Sequence, residues 1–74
     1  MTSKRRRLLI LPAGWEQVPL IRAAKARWHL VVAADHDPAA EGRAFADAFE
    51  AVSPRDLCCL LSLARRLRVD AVAT

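Results

Sequence analysis

The sequence predicts an α/β fold built on a short, all-parallel sheet of four strands. Three observations predict it. Short apolar runs recur at Arg7–Leu11, His29–Ala34 and Ala48–Val52, and a fourth starts at Val69–Thr74. The segments between them carry helix-compatible residues, two of them with apolar side chains at helical spacing. Turn residues follow the first three strands, as Pro12-Ala13-Gly14, Asp35-His36-Asp37-Pro38 and Ser53-Pro54. Strands that alternate with helices imply parallel pairing and right-handed crossovers.

Each element has its own justification. Arg7–Leu11 (RLLIL) is apolar on both faces, which suits a strand buried between two layers. Glu16–Arg27 reads as a helix, with Val18, Ile21, Ala24 and Trp28 on one stripe and Leu20 beside it. Pro19 fits only its first turn, where backbone donors lack intrahelical partners. Glu16 and Arg27 suit the two ends of its dipole. His29–Ala34 (HLVVAA) is a second buried strand, ending at Asp35. Ala39–Ala46 reads as a short helix weakened by Gly42. Ala48–Val52 is a third strand. Ser53, Pro54 and Asp56 then form a helix start, with serine as cap and proline in the first helical position. Leu57, Leu60, Leu61, Ala64 and Leu67 supply that helix with an apolar face, and Arg65, Arg66 and Arg68 crowd its end.

The order β-α-β-α-β-α-β gives an expected strand order of 3-2-1-4, the first part of a three-layer Rossmann-like sheet. Residues 1–7 are a basic lead-in and residues 8–74 a single domain, read as incomplete after its fourth strand. The expected core draws on Leu, Ile and Val with Phe45, Phe49 and one tryptophan.

Composition narrows the function. The 74 residues are 54% hydrophobic and 27% charged, which is the balance of a globular domain. The net charge of +4 owes much to Lys4-Arg5-Arg6-Arg7. That run has no interleaved aromatics, which argues against binding a single-stranded nucleic acid and for a solvated lead-in. Only Leu8–Leu11 are apolar before Pro12, too few for a signal peptide, and no apolar run approaches the ~20 residues of a membrane span. The expectation is a soluble, cytoplasmic protein with no membrane or nucleic-acid partner. Cys58 and Cys59 are adjacent and fit neither a zinc pattern nor a redox motif. They read as small, buried or half-buried helix residues.

Ligands of such sheets bind beyond the carboxyl ends of the strands. Asp35 ends the second strand about 20 residues after Gly14, the place of an acid that binds an adenosine ribose. The accompanying glycine motif is absent: Pro12 stands for its first glycine. Asp35 and Asp37 could pair as acid and base, though an Asp-x-Asp-Pro loop is also ordinary turn chemistry. His29 reads as a surface residue; His36 lies between Asp35 and Asp37 in a loop, which hints at a metal, but three consecutive ligands do not easily converge on one ion. No serine or cysteine has an evident base partner, and no metal site is evident.

Several stretches together resemble the N-terminal domain that precedes the catalytic module of ATP-grasp ligases. They are Gln17-Val18-Pro19-Leu20-Ile21 with Ala23-Ala24-Lys25, Asp35-His36-Asp37-Pro38, Gly42-Arg43-Ala44 with Ala46-Asp47, and Asp70-Ala71-Val72-Ala73-Thr74. The family includes carbamoyl-phosphate-synthase-like enzymes, phosphoribosylaminoimidazole carboxylase ATPase subunits and biotin carboxylase. The chain departs from the family pattern at Pro12, near Trp28 and at Glu41, where the family carries glycine, glycine and proline. The resemblance implies a non-catalytic domain forming one wall of a carboxylate–amine ligase cleft. ATP and magnesium would then be held by later domains, in cis or on a separate chain. On this reading the substrate-binding candidates are Ala13, Gly14, Glu16, Gln17, Asp35 and Asp37. Amides at Gly14–Glu16 could hold a carboxylate or phosphate, and Glu16 or Gln17 could orient an amine or hydroxyl. Two alternatives remain: an NAD(P)- or nucleotide-binding module, and an interaction module that pairs with a second copy through the open fourth-strand edge.

Overall fold

A computed structural model of the chain describes residues 6–28, 30–53 and 55–74. The readings placed on Lys4, Arg5, His29 and Pro54 lie outside them. Four strands form one parallel sheet: β1 (Arg7–Ile10), β2 (Leu30–Asp35), β3 (Ala48–Ala51) and β4 (Ala71–Ala73), in the order β3-β2-β1-β4. Leu8, Leu9 and Ile10 lie opposite Val31, Val32 and Ala33 of β2, and opposite Ala71, Val72 and Ala73 of β4. Two α-helices, α1 (Val18–Lys25) and α2 (Leu57–Leu67), and two 3-10 segments (Trp15–Gln17 and Glu41–Phe45) occupy the connections.

Period-two alternation of side chains along the strands divides the core into two layers. Leu8, Ile10, Val31 and Ala33 pack with Ile21 and Ala24 of α1 on one face. Leu9, Leu11, Val32 and Ala34 pack with Leu63 of α2 on the other. The expected three-layer α/β architecture and strand order are therefore present.

Four local expectations are corrected. The first helix does not run evenly from Glu16. Pro19 has no N–H to donate to the Trp15 carbonyl, so the Val18 amide takes that acceptor in the tighter 3-10 pattern, and the α-helix begins at Val18. The segment expected as a helix over Ala39–Ala46 is a 3-10 segment, and its Gly42 has a packing role: a Cβ there would lie 2.7 Å from both the Ala13 oxygen and Ile21 Cδ1. The second helix is capped by Asp56 and not by Ser53. The Asp56 carboxylate accepts from the Cys59 amide at 3.1 Å, where the dipole favours a negative charge. Ser53 instead closes a turn, its Oγ accepting from the Arg55 amide.

The fourth correction concerns what α2 buries. Leu63 is its buried residue, with Leu60 and Leu67 packed beside it, while Leu57 and Leu61 are 66% and 50% exposed. The helix is rotated so that Leu60, Leu63 and Leu67 meet the sheet. Cys58 and Cys59, expected to be at least half-buried, are both exposed. Phe45 lies largely outside the core, and Phe49 and Trp28 pack at its margin.

Polar ties hold the ends of the sheet in register. Arg7 donates from its amide to Asp70 Oδ2 and from Nη1 to the Leu67 carbonyl, which anchors the entry to β4. Asp47 bridges Lys25 Nζ and the Val31 amide, each at 2.8 Å, and links α1 to β2.

Candidate functional site

The carboxyl ends of β1, β2 and β3 carry three loops that meet around Asp35. Asp35 is the last residue of β2 and is only 5% exposed. Its Oδ2 accepts from the Ala13 amide at 2.8 Å and its Oδ1 from the Asp37 amide at 2.9 Å. Its carbonyl accepts from the Val52 amide of the third loop. One aspartate thus ties together the loops that follow three strands. Burial alone would raise its pKa. The Asp37 and Ala13 amides, the charge of His36 and the His36 amide outweigh burial and leave the carboxyl below its ordinary value.

Hydrogen bonds also hold the first loop in place. The Leu11–Pro12 peptide is cis, and the Leu11 amide donates to the Ala73 carbonyl. Ala13 is fully buried, held by Asp35 at its amide and by the Gly42 amide at its carbonyl. Gly14 then turns outward in an extended conformation and caps the 3-10 segment that leads into α1. Trp15 is 72% exposed at the tip, Glu16 is exposed and Gln17 is half-buried. In the second loop the Asp37 carboxylate accepts from the Ala39 amide at 2.9 Å, an Asx turn that absorbs the group locally.

A crevice of about 480 Å³ opens beside these loops, lined by Pro12, His36, Ser53 and Arg55. Of the six residues named from sequence, Ala13 and Asp35 lie beneath the loops as supports, and Gly14, Glu16, Gln17 and Asp37 lie on or near their surface. Reading the sequence placed Ser53 and His36 in loops where ligands meet such sheets but named neither as a binding residue, and it passed over Arg55. Ser53 and Arg55 carry only the signal of a helix start, and parallel pairing of β3 with β2 is what brings them beside His36.

Two chemistries receive little support from the side chains present. No group of three or more His, Cys, Asp or Glu residues able to hold a metal exists among the described residues. The Asp56 side chain hydrogen-bonds Cys59 and lies close in charge, which raises the thiol above its ordinary value and disfavours the thiolate a nucleophile needs.

The fold and its loops define an α/β domain with an open crevice at the carboxyl edge of a parallel sheet. No protein-family model matches the chain, and no curated protein matches it. No helix among the described residues is long and apolar enough to cross a membrane.

Proposed function

We propose that the chain is a non-catalytic, Rossmann-like N-terminal domain of an ATP-grasp carboxylate–amine ligase, forming part of the substrate-side wall of the cleft. The observation that carries this reading is the state of Asp35. An acid that binds a ribose must present its oxygens to the ligand. Here one oxygen accepts from the Ala13 amide of the first loop and the other from the Asp37 amide of the second, and the residue is buried. A domain without that grip, but with an open crevice at its strand ends, suits a wall better than a cofactor module. Gly14 to Gln17 of loop one and Asp37 face the substrate in this reading, with Ala13 and Asp35 as their support. ATP and magnesium belong to other domains of the enzyme. The exposed free thiols of Cys58 and Cys59 fit the reducing cytoplasm.

Calorimetric titration of the chain with Mg-ATP and with NAD(P) tests the reading. No heat of binding is expected for either. Micromolar affinity for ATP would overturn it. A melting temperature raised by NAD(P), and no longer raised in Asp35→Ala, would establish the cofactor module instead.

A second reading has one observation in its favour. The outer edge of β4 has no strand beside it among the described residues, and Val72 on that strand is 53% exposed. Such an edge can pair antiparallel with its own copy, which makes the chain an interaction module.

A further inference from the structure

We propose that the crevice framed by Pro12, His36, Ser53 and Arg55 binds the anionic group of a small ligand, a phosphate or a carboxylate. The inference rests on reading the domain as a substrate wall and assigns the residues that grip the substrate.

The argument starts from which polar groups near the crevice are already occupied. Three aspartates lie close in sequence to its lining residues, and each is satisfied by backbone. Asp35 accepts from Ala13 and Asp37, Asp37 from Ala39, and Asp56 from Cys59. These bonds turn the carboxylate oxygens toward backbone amides but leave their charge in place. Arg55 is exposed and makes no ion pair with a carboxylate among the described residues. Its guanidinium has the forked donor geometry that carboxylates and phosphates match.

The other two polar residues add a neutral hydroxyl and a ring nitrogen. Ser53 Oγ accepts from the Arg55 amide at 3.2 Å, which leaves its hydroxyl hydrogen to donate elsewhere. His36 Nδ1 lies 3.1 Å from Asp35 Oδ1, so Nε2 is the remaining polar atom of its ring. Nε2 donates only in the doubly protonated ring and accepts when the single proton sits on Nδ1. Pro12 supplies an apolar wall. A crevice lined by a guanidinium without a carboxylate partner among the described residues and by a hydroxyl able to donate favours a negative group.

Amide-resolved NMR titration of the full chain with inorganic phosphate, and separately with acetate, tests this at ionic strength held constant with chloride. Saturable shifts are expected at the His36, Asp37, Ser53 and Arg55 amides for at least one of the two anions. Phosphate alone would mark a phosphorylated ligand, and acetate a carboxylate. Arg55→Gln is expected to weaken binding by at least about tenfold, the loss of a charge-assisted pair. Ser53→Ala should weaken it less. Shifts that never saturate, that spread equally to Arg65 and Arg68, or that Arg55→Gln leaves unchanged would overturn the proposal. Mg-ATP titration reports on the domain reading separately: absent phosphate and acetate sites with no ATP binding would remove the crevice as a grip and leave the wall reading standing.

Discussion

Gly42 and Asp35 are the residues on which the candidate site depends, and each makes a prediction. A methyl group at Gly42 would meet the Ala13 carbonyl oxygen at 2.7 Å. That oxygen is backbone and also accepts from the Gly42 amide, so it has little freedom to move. Gly42→Ala is expected to cost about 1–3 kcal/mol by overpacking, read from urea unfolding. Asp35 makes a prediction about pH. Its folded-state pKa is depressed, so its contribution is fully present above the ordinary carboxylate value. It is lost as pH falls through that value, about 4, toward the folded one. Stability should be flat from neutral pH downward and then drop in acid. Asp56 shifts in the same direction through its bonds to Cys59 and adds to the drop. Asp35→Asn is expected to lower stability at pH 7 by about 1–3 kcal/mol, because an amide mismatches one of the two backbone donors. It should also flatten the acid limb. An acid limb identical to wild type would remove Asp35 from the account.

At the scale of elements, α2 separates a helix that exists from a face that it buries. Its apolar residues were expected at Leu57, Leu60, Leu61, Ala64 and Leu67, and helical spacing did yield a helix over Leu57–Leu67. Spacing alone does not choose among stripes when leucines surround much of the cylinder, and this helix also carries Leu63. Packing on Leu9, Leu11, Val32 and Ala34 chose the stripe through Leu63. Leu63→Ala is therefore expected to cost about 2–4 kcal/mol, and Leu57→Ala a few tenths, within the range of surface changes. Equal costs for the two would show the helix rotated from the orientation described. The same distinction holds for α1. Val18, Ile21, Ala24 and Trp28 were legible as its inner stripe because Arg22, Lys25 and Arg27 leave a single apolar face. Ile21 and Ala24 are the residues it buries.

On the scale of the whole molecule, a single α-helix covers one face of the four-stranded sheet. Between α2 and β4 this leaves an apolar groove of about 350 Å³, lined by Leu9, Leu11, Leu57, Leu61 and Val72 among others. Exposed apolar surface beside a bare strand edge favours association. Sedimentation velocity over a wide concentration range is expected to detect a dimer, and Val72→Lys to abolish it, since a charge on the edge strand opposes pairing. A chain that stays monomeric at every concentration would eliminate the pairing reading.

The sequence by itself determined the element order, the parallel sheet and the strand order. The first two follow from local period and crossover rules, and the strand order from the Rossmann-like pattern that such alternation builds. It also located the loops where a ligand meets this class of sheet, since they are the segments that follow the strands. Only the tertiary structure decided what each residue of those loops does. Asp35 reads on its own as a ribose acid or a catalytic carboxylate, and becomes a buttress because Ala13 and Asp37 are folded onto it. Ser53 and Arg55 read as the start of a helix, and become walls of a crevice because β3 pairs with β2 and sets them near His36. The physical reason is range. Period, turn chemistry and capping act over a few residues, whereas a site is made by groups that only long-range pairing brings together.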